Sequence, residues 1–147
     1  MNKNNSDFTI PKEIKDFIDN LNLDLANIQI LGSNIFILAN LISIRSAKED
    51  KQKIYEKKAG VPVTVKPAET AYKASTLSLL AIYIFAIVAE RSLIEQRDEI
   101  NSGISRDSIT PYEKIFNSSL LNIIAGNMRL EAIEELLRVS ESEETLI

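Results

Sequence analysis

The chain has 147 residues, of which 45% are hydrophobic and 26% charged, and its formal net charge is −4 at pH 7. Such a composition is ordinary for one folded domain and too apolar for a disordered chain. Histidine, cysteine and tryptophan are absent from the sequence, which excludes imidazole acid–base chemistry, thiolate nucleophiles, disulfides and most zinc, copper and haem sites. We therefore expect a single domain over residues 1–147 that is not an enzyme and holds no cofactor or metal.

The scarcity of turn residues favours an all-α fold. The sequence contains four glycines and four prolines, which is fewer than the turns of a β-sandwich or barrel require. We expect an antiparallel helical bundle of about four helices, built on a long hairpin formed by the second and third helices.

Two helices are predicted in the first part of the chain. Pro11 and Glu13 are typical of a first helical turn, because proline needs no N–H there and a carboxylate faces the positive end of the helix dipole. This first helix is expected to end near Asn20. Asp24 precedes a long apolar stretch and is predicted to be the N-cap of a second helix that continues to about Lys58.

The second predicted helix is apolar on two faces and therefore needs partners on two sides. One apolar row includes Ile28, Ile35 and Ile42, and a second row includes Ile37 and Ile44. The remaining narrow stripe is small or polar and is expected to face solvent: Ala26, Gln29, Ser33, Asn40, Ser43 and Ala47.

Residues 59–67 are predicted to be an extended linker, since Gly60 is suited to end a helix and the prolines favour extended backbone before them. We expect residues 48–66 to be the most mobile segment and to contact a protein partner. An alternative is that the linker valines only cover the end of their own bundle. The predicted interaction residues are Ile54, Tyr55, Val61, Val63 and Val65.

A third helix is expected from about Pro67 to Ser102, with Gly103 available to stop it. Its segment 79–89 contains no charged residue and is apolar all round. We therefore expect this segment to be surrounded by other helices.

A fourth helix is expected from Thr110, as the N-cap, to about Val139, because proline and glutamate follow the threonine at helix-start spacing. Its core row has a period of seven residues, and Gly126 is predicted to be a close contact with a neighbouring helix. The ends, residues 1–8 and 140–147, are expected to be frayed. The core positions are Phe116, Ser119, Ile123, Gly126, Leu130, Ile133 and Leu137.

Binding chemistry is sparse in the sequence. Glu131, Glu134 and Glu135 lie on one helical turn, but carboxylate-bridged metal sites in helical bundles normally include Glu-x-x-His pairs, so a solvated helix face is favoured. No glycine-rich phosphate loop is present. The basic run 45–58 lacks interleaved aromatic residues other than Tyr55, so a nucleic-acid partner is not favoured.

Association is the function that the sequence favours. The two long helices carry more apolar surface than the others can cover, which predicts a non-enzymatic protein that forms homo-oligomers and holds a protein partner. The polar N-terminal residues do not resemble a secretory signal, so we expect a cytoplasmic location. The alternative is a small membrane-associated hairpin of residues 28–44 and 77–89, whose intervening residues 45–73 are mainly basic.

Overall fold

The structure is a computed structural model that describes residues 12–144. No strand occurs among these residues, so the prediction of an all-α fold is confirmed. The predicted frayed segment 1–8 and the last three residues of the chain lie outside the described residues. The helices, in chain order, are α1 (Lys12–Ala59), α2 (Pro67–Asn101) and α3 (Thr110–Glu144).

The predicted first and second helices are one continuous helix, α1, of 48 residues. The expected break after Asn20 and the N-cap at Asp24 are therefore wrong. No proline or glycine separates the two predicted helices, and Leu21 and Leu25 continue the row of shielded side chains. Ending one helix and nucleating another costs more free energy than including a few weak helix formers such as asparagine and aspartate.

Glycines end α1 and α2 at the predicted positions. Gly60 and Gly103 have positive φ angles of 67° and 76°, a conformation that side chains with a Cβ rarely adopt. The amide of Gly60 donates to the Lys57 carbonyl, and the amide of Val61 donates to the Glu56 carbonyl, both at 3.2 Å. This pair of bonds satisfies carbonyls that a helix end leaves unpaired, and α2 ends with the same arrangement.

Helix α3 begins at Thr110, but Thr110 is not its N-cap. The amide of Glu113 donates to the Ile109 carbonyl at 3.2 Å, so Thr110 already lies inside the helix. The hydroxyl of Ser108 accepts a hydrogen bond from the amide of Thr110 at 3.3 Å. A serine two residues before the predicted cap therefore supplies the side-chain cap.

Helix α2 lies between the other two helices. Among the described residues, α1 and α3 each contact α2 and do not contact one another. The predicted closed bundle of about four helices is therefore an open, three-helix arrangement with α2 at its centre. Ser46 ties α1 to the start of α2 by donating to the Pro67 carbonyl at 2.9 Å, and Asn127 ties α3 to α2 by donating to the Tyr83 hydroxyl at 3.3 Å.

Both contacts follow a seven-residue period, which allows long helices to stay in register along their lengths. On α3, the predicted core row is confirmed, since all seven of its members are partly shielded from solvent. On α1, the shielded residues of the band facing α2 are Ile18, Leu21, Leu25, Gly32, Ile35, Ala39, Ile42, Ser46 and Glu49.

Candidate functional site

Five of the eight buried apolar residues are alanines, and the other three are leucines. Ala39 of α1 and Ala81 of α2 have no exposed surface, and no large side chain among the described residues is fully buried. Small residues let two helix backbones approach closely, and they are enriched at helix contacts inside membranes. The buried apolar residues are Leu25, Ala39, Ala74, Leu79, Ala81, Ala86, Ala89 and Leu93.

Two glycines lie where α1 and α3 come close to side chains of α2. A Cβ added at Gly32 would lie 2.9 Å from Cγ2 of Ile84, and a Cβ added at Gly126 would lie 2.9 Å from Cδ1 of Leu79. Both distances are shorter than carbon atoms tolerate without movement of a neighbour. The prediction of a close helix contact at Gly126 is confirmed, and Gly32 is its counterpart on α1.

The large apolar side chains lie on the outside instead. On α1, the second predicted apolar row is uncovered, with Ile37 57% and Ile44 55% exposed. On α2, Leu80, Tyr83 and Ile87 are 48%, 42% and 50% exposed. The prediction that segment 79–89 is surrounded is therefore wrong, because α1 and α3 cover two of its faces and no described residue covers the third.

Uncharged segments of the three helices lie beside one another. They comprise residues 25–44 of α1, 74–89 of α2 and 115–128 of α3. The contacts at Gly32 and Gly126 fall within these segments and join α1 and α3 to α2. At 1.5 Å per residue the segments are about 30, 24 and 21 Å long, so the first matches the roughly 30 Å hydrocarbon core of a bilayer and the other two are shorter.

Two helices are long and apolar enough to cross a membrane. They are the stretches Lys15–Ala59 and Pro67–Asn101, whose most apolar 18-residue windows have mean hydropathies of 1.6 and 1.9. A core helix of a soluble protein also passes this test, but it is mostly buried. Here 17% and 28% of the window residues are buried.

A groove runs between α1 and α3 above α2, and it contains two cavities. One has a volume of about 140 Å³ and the other about 300 Å³. Asn40 and Ser43 line the first cavity, and Gln29 lines the second. The polar stripe of α1 was predicted to face solvent, and Gln29 and Asn40 are exposed as predicted, whereas Ser43 is half-buried. The stripe faces the groove because α1 contacts α2 through an adjacent face.

The linker after α1 is hydrogen bonded to that helix. The carboxylate of Glu56 accepts bonds from the amide of Thr64 at 2.8 Å, the Thr64 hydroxyl at 2.7 Å and the Gln52 amide at 2.8 Å. These hydrogen bonds hold the pKa of Glu56 below its ordinary value, with the Thr64 hydroxyl as the largest cause. The linker is thereby held against the last turns of α1.

The predicted interaction residues do not form one described contact surface. The two helical residues are 54% and 59% exposed, and the first two valines are 49% and 39% exposed. Val65 is half-buried and lines a small cavity with Leu137 of α3. Their role in partner binding, and the mobility of segment 48–66, stay predictions. The residues concerned are Ile54, Tyr55, Val61, Val63 and Val65.

Glu95 lies near the end of α2. Among the described residues, it is the acidic side chain whose surroundings disfavour the ionised form. Its Oε1 atom is buried and has no hydrogen-bond partner among the described residues. Burial raises the pKa of the Glu95 carboxyl, and repulsion from Glu99 raises it further, while Arg91 acts in the opposite direction. Glu95 therefore binds its proton more tightly in the folded state than in the unfolded chain.

We expect Glu95→Gln to raise the melting temperature at pH 7 and to leave it nearly unchanged at pH 4. The pKa of Glu95 is higher in the folded state than in the unfolded state. Below the unfolded-state pKa the carboxyl is protonated in both states and costs no stability. As the pH rises through the folded-state pKa, ionisation of the partly buried carboxyl destabilises the folded state. Thermal unfolding followed by circular dichroism at both pH values measures the effect. Glu90→Gln, at an exposed site on the same helix, is the control. An equal shift at both pH values would contradict the assignment.

The carboxylates of α3 do not assemble into a metal site. Among residues 12–144 with described side chains, no group of three potential metal ligands comes together. Glu134 is instead paired with Arg138 on the surface of α3, with Oε1 and Nη2 separated by 2.7 Å. Comparisons with protein-family models, curated proteins and solved structures find no match for this chain.

Proposed function

We propose that this chain is a non-enzymatic, membrane-embedded helical protein that acts by association with further copies and with a protein partner. The observation that carries the proposal is the distribution of side-chain size. Alanines make up five of the eight buried apolar residues, whereas many large apolar residues face outward over three adjacent uncharged segments. Within lipid, close packing of small residues replaces the hydrophobic driving force between helices.

The outward apolar residues favour lipid over a single soluble interface. Ile37 on α1, Ile87 on α2 and Leu121 on α3 are all at least half exposed. They belong to three different helices of an open arrangement, so one two-fold interface would cover only part of this surface. A bilayer contacts every outward face at once.

Charge supports an orientation for the hairpin. Residues 45–73, which join the uncharged segments of α1 and α2, carry eight basic and four acidic side chains. Basic loops are retained on the cytoplasmic side of membranes. We therefore place the linker, with its predicted partner residues Val61 and Val63, at the cytoplasmic face.

Membrane fractionation tests the proposal. The full chain, expressed without a fusion to a soluble carrier, is expected in the membrane pellet, to resist extraction by alkaline carbonate and to dissolve in mild detergent. A peripheral protein would be released by carbonate. Recovery of a monodisperse oligomer in the cytosolic fraction without detergent would overturn the membrane proposal and support the soluble oligomer expected from the sequence.

Self-association is supported by a polar residue on the outer face of α1. Asn34 is exposed among apolar neighbours, including Ile30 at 58% and Leu41 at 59% exposure. It has no hydrogen-bond partner among the described residues. An asparagine in this setting stabilises contact with a second helix through hydrogen bonds across the interface.

Asn34→Leu is therefore expected to lower the oligomer fraction in detergent by severalfold. Light scattering coupled to size-exclusion chromatography measures the oligomer. Asn20→Leu is the matched control, because Asn20 occupies the same seven-residue row of α1 outside the uncharged segment. An unchanged oligomer in the Asn34 variant would exclude this residue from the interface.

A further inference from the structure

The smaller cavity of the groove is lined by both apolar and polar side chains. Its volume of about 140 Å³ is room for several water molecules or one small ligand. Asn40 and Ser43 line it from α1, Ser75 and Ser78 from α2, and Arg129 from α3. No acidic side chain is among its lining residues.

Ser75 is a buried residue whose hydroxyl lines the cavity. Three polar residues are buried among those described, with exposures of 6% for Ser46, 5% for Ser75 and 6% for Gln96. Ser46 donates to the Pro67 carbonyl, and Gln96 donates to the Ser105 hydroxyl. The Ser75 hydroxyl makes no hydrogen bond to any described residue. Glu95 Oε1 is the only described side-chain atom that is fully buried without a partner, so the Ser75 hydroxyl is instead open to the cavity and available to an occupant there.

Neighbouring hydroxyls of the cavity are also unused. Serine and threonine within helices often bond to the carbonyl four residues earlier, as Ser33 and Thr76 do here. Within the described part of the chain, Ser43, Ser75 and Ser78 make no such bond. Their three O–H groups are therefore available as donors to one occupant.

Arg129 determines the charge of that occupant. It forms no ion pair or hydrogen bond with the described residues, whereas Arg138 on the same helix is paired with Glu134 at 2.7 Å. A guanidinium has five N–H donors and no acceptor, so it matches the oxygens of a carboxylate or phosphate. Arg129 is exposed on α3, and a guanidinium beside unused hydroxyl donors matches an anion.

We propose that this cavity binds an oxyanion, either a phosphate or a carboxylate group. Arg129 supplies the charge, and Ser75 and Ser78 donate hydrogen bonds from α2. Arg129 directly follows the uncharged segment of α3, where the headgroup of an anionic lipid would lie if the helices span a bilayer. A free anion has the same chemistry, so the site stands whether or not the membrane proposal holds.

Titration calorimetry on the purified full chain in an uncharged detergent tests the site. One arm uses inorganic phosphate, and the other uses phosphatidylglycerol in mixed micelles with phosphatidylcholine as the neutral comparison. We expect saturable binding in at least one arm. Binding of both probes identifies a site open to free anions, and binding of the lipid alone identifies a headgroup site.

Variants connect the binding to this cavity. Arg129→Gln is expected to weaken binding at least tenfold, and Ser75→Ala by a smaller factor, because hydrogen bonds to a charged group are about twice as strong as neutral ones. Arg138→Gln removes the same charge from the same helix outside the cavity and is expected to leave binding unchanged. Circular dichroism confirms that each variant folds, and Arg129→Lys keeps the charge if glutamine impairs folding.

Three results would overturn the proposal. The first is the lack of saturable binding of both phosphate and phosphatidylglycerol. The second is an equal loss of anion-binding affinity in Arg129→Gln and Arg138→Gln, which would indicate nonspecific attraction of the anion to positive charge on the protein. The third is unchanged binding in a folded Arg129→Gln protein.

Discussion

Gly126→Leu is expected to reduce the free energy of unfolding by about 1–3 kcal/mol. The added Cβ would lie 2.9 Å from Cδ1 of Leu79 and 3.2 Å from Cδ1 of Ile82, and the longer leucine side chain would extend further into α2. Overpacking of this kind forces the helices apart or the side chains out of their preferred rotamers. Thermal and denaturant unfolding measure the loss.

Ala125→Leu is the matched control for this substitution. Ala125 precedes Gly126 on α3 but is exposed, so the larger side chain has space there. We expect the control to change the free energy of unfolding by less than about 0.5 kcal/mol. Equal stability of the Gly126 and Ala125 variants would show that α3 does not approach α2 at Gly126.

Ile37→Arg is expected to move much of the protein out of the membrane fraction. Ile37 is 57% exposed in the middle of the uncharged segment of α1. Arginine at the centre of a membrane helix costs about 2.5–3.5 kcal/mol on insertion scales, and loss of isoleucine adds to this. Quantitative blotting of membrane and soluble fractions measures the change.

Tyr55→Arg is the corresponding control, because Tyr55 is similarly exposed on α1 at 59% but lies beyond the uncharged segment. We expect this variant to fractionate as the parent protein does. In a soluble protein, arginine at an exposed site would leave the distribution unchanged or increase solubility. Insertion of Ile37→Arg as efficient as that of Tyr55→Arg would therefore contradict the membrane proposal.

Local signals in the sequence predicted the ends of the helices better than their number. Gly60 and Gly103 are placed correctly because a left-handed residue after a helix requires glycine on local grounds. Asp24 misleads because N-cap residues are also tolerated inside helices, and tertiary contacts decide between the two outcomes. Leu25, one residue later, is 8% exposed and lies on the contact face that keeps α1 continuous.

The direction in which each face points was harder to predict. The apolar period of α3 identifies its contact row because that row is both apolar and regular. On α1, however, isoleucine rows surround much of the helix, and the contact row includes Gly32, Ala39 and Ser46. Assuming that the largest apolar residues are buried therefore selects the wrong face of α1, because the close contact of α1 with α2 is made by small side chains.

The cavity beside Arg129 was not predicted, for a related reason. Ser75 and Ser78 are three positions apart on a largely apolar segment of α2, so their spacing alone indicates one shared face. Arg129 lies more than 50 residues later in the chain, and sequence spacing does not bring it to that face. Only the packing of α3 on α2 combines these residues.

The lack of contact between α1 and α3 has an energetic consequence. Gly32 meets Ile84 and Phe85, whereas Gly126 meets Leu79 and Ile82, so the two helix contacts share no partner side chain. Destabilisation at one contact should then add to destabilisation at the other to within about 0.3–0.5 kcal/mol, as is usual for distant sites without common partners. An occupant of the groove that touches both α1 and α3 would couple the two helix contacts energetically. The effects of substitutions at Gly32 and Gly126 on the free energy of unfolding would then no longer add, which would indicate that the groove is occupied.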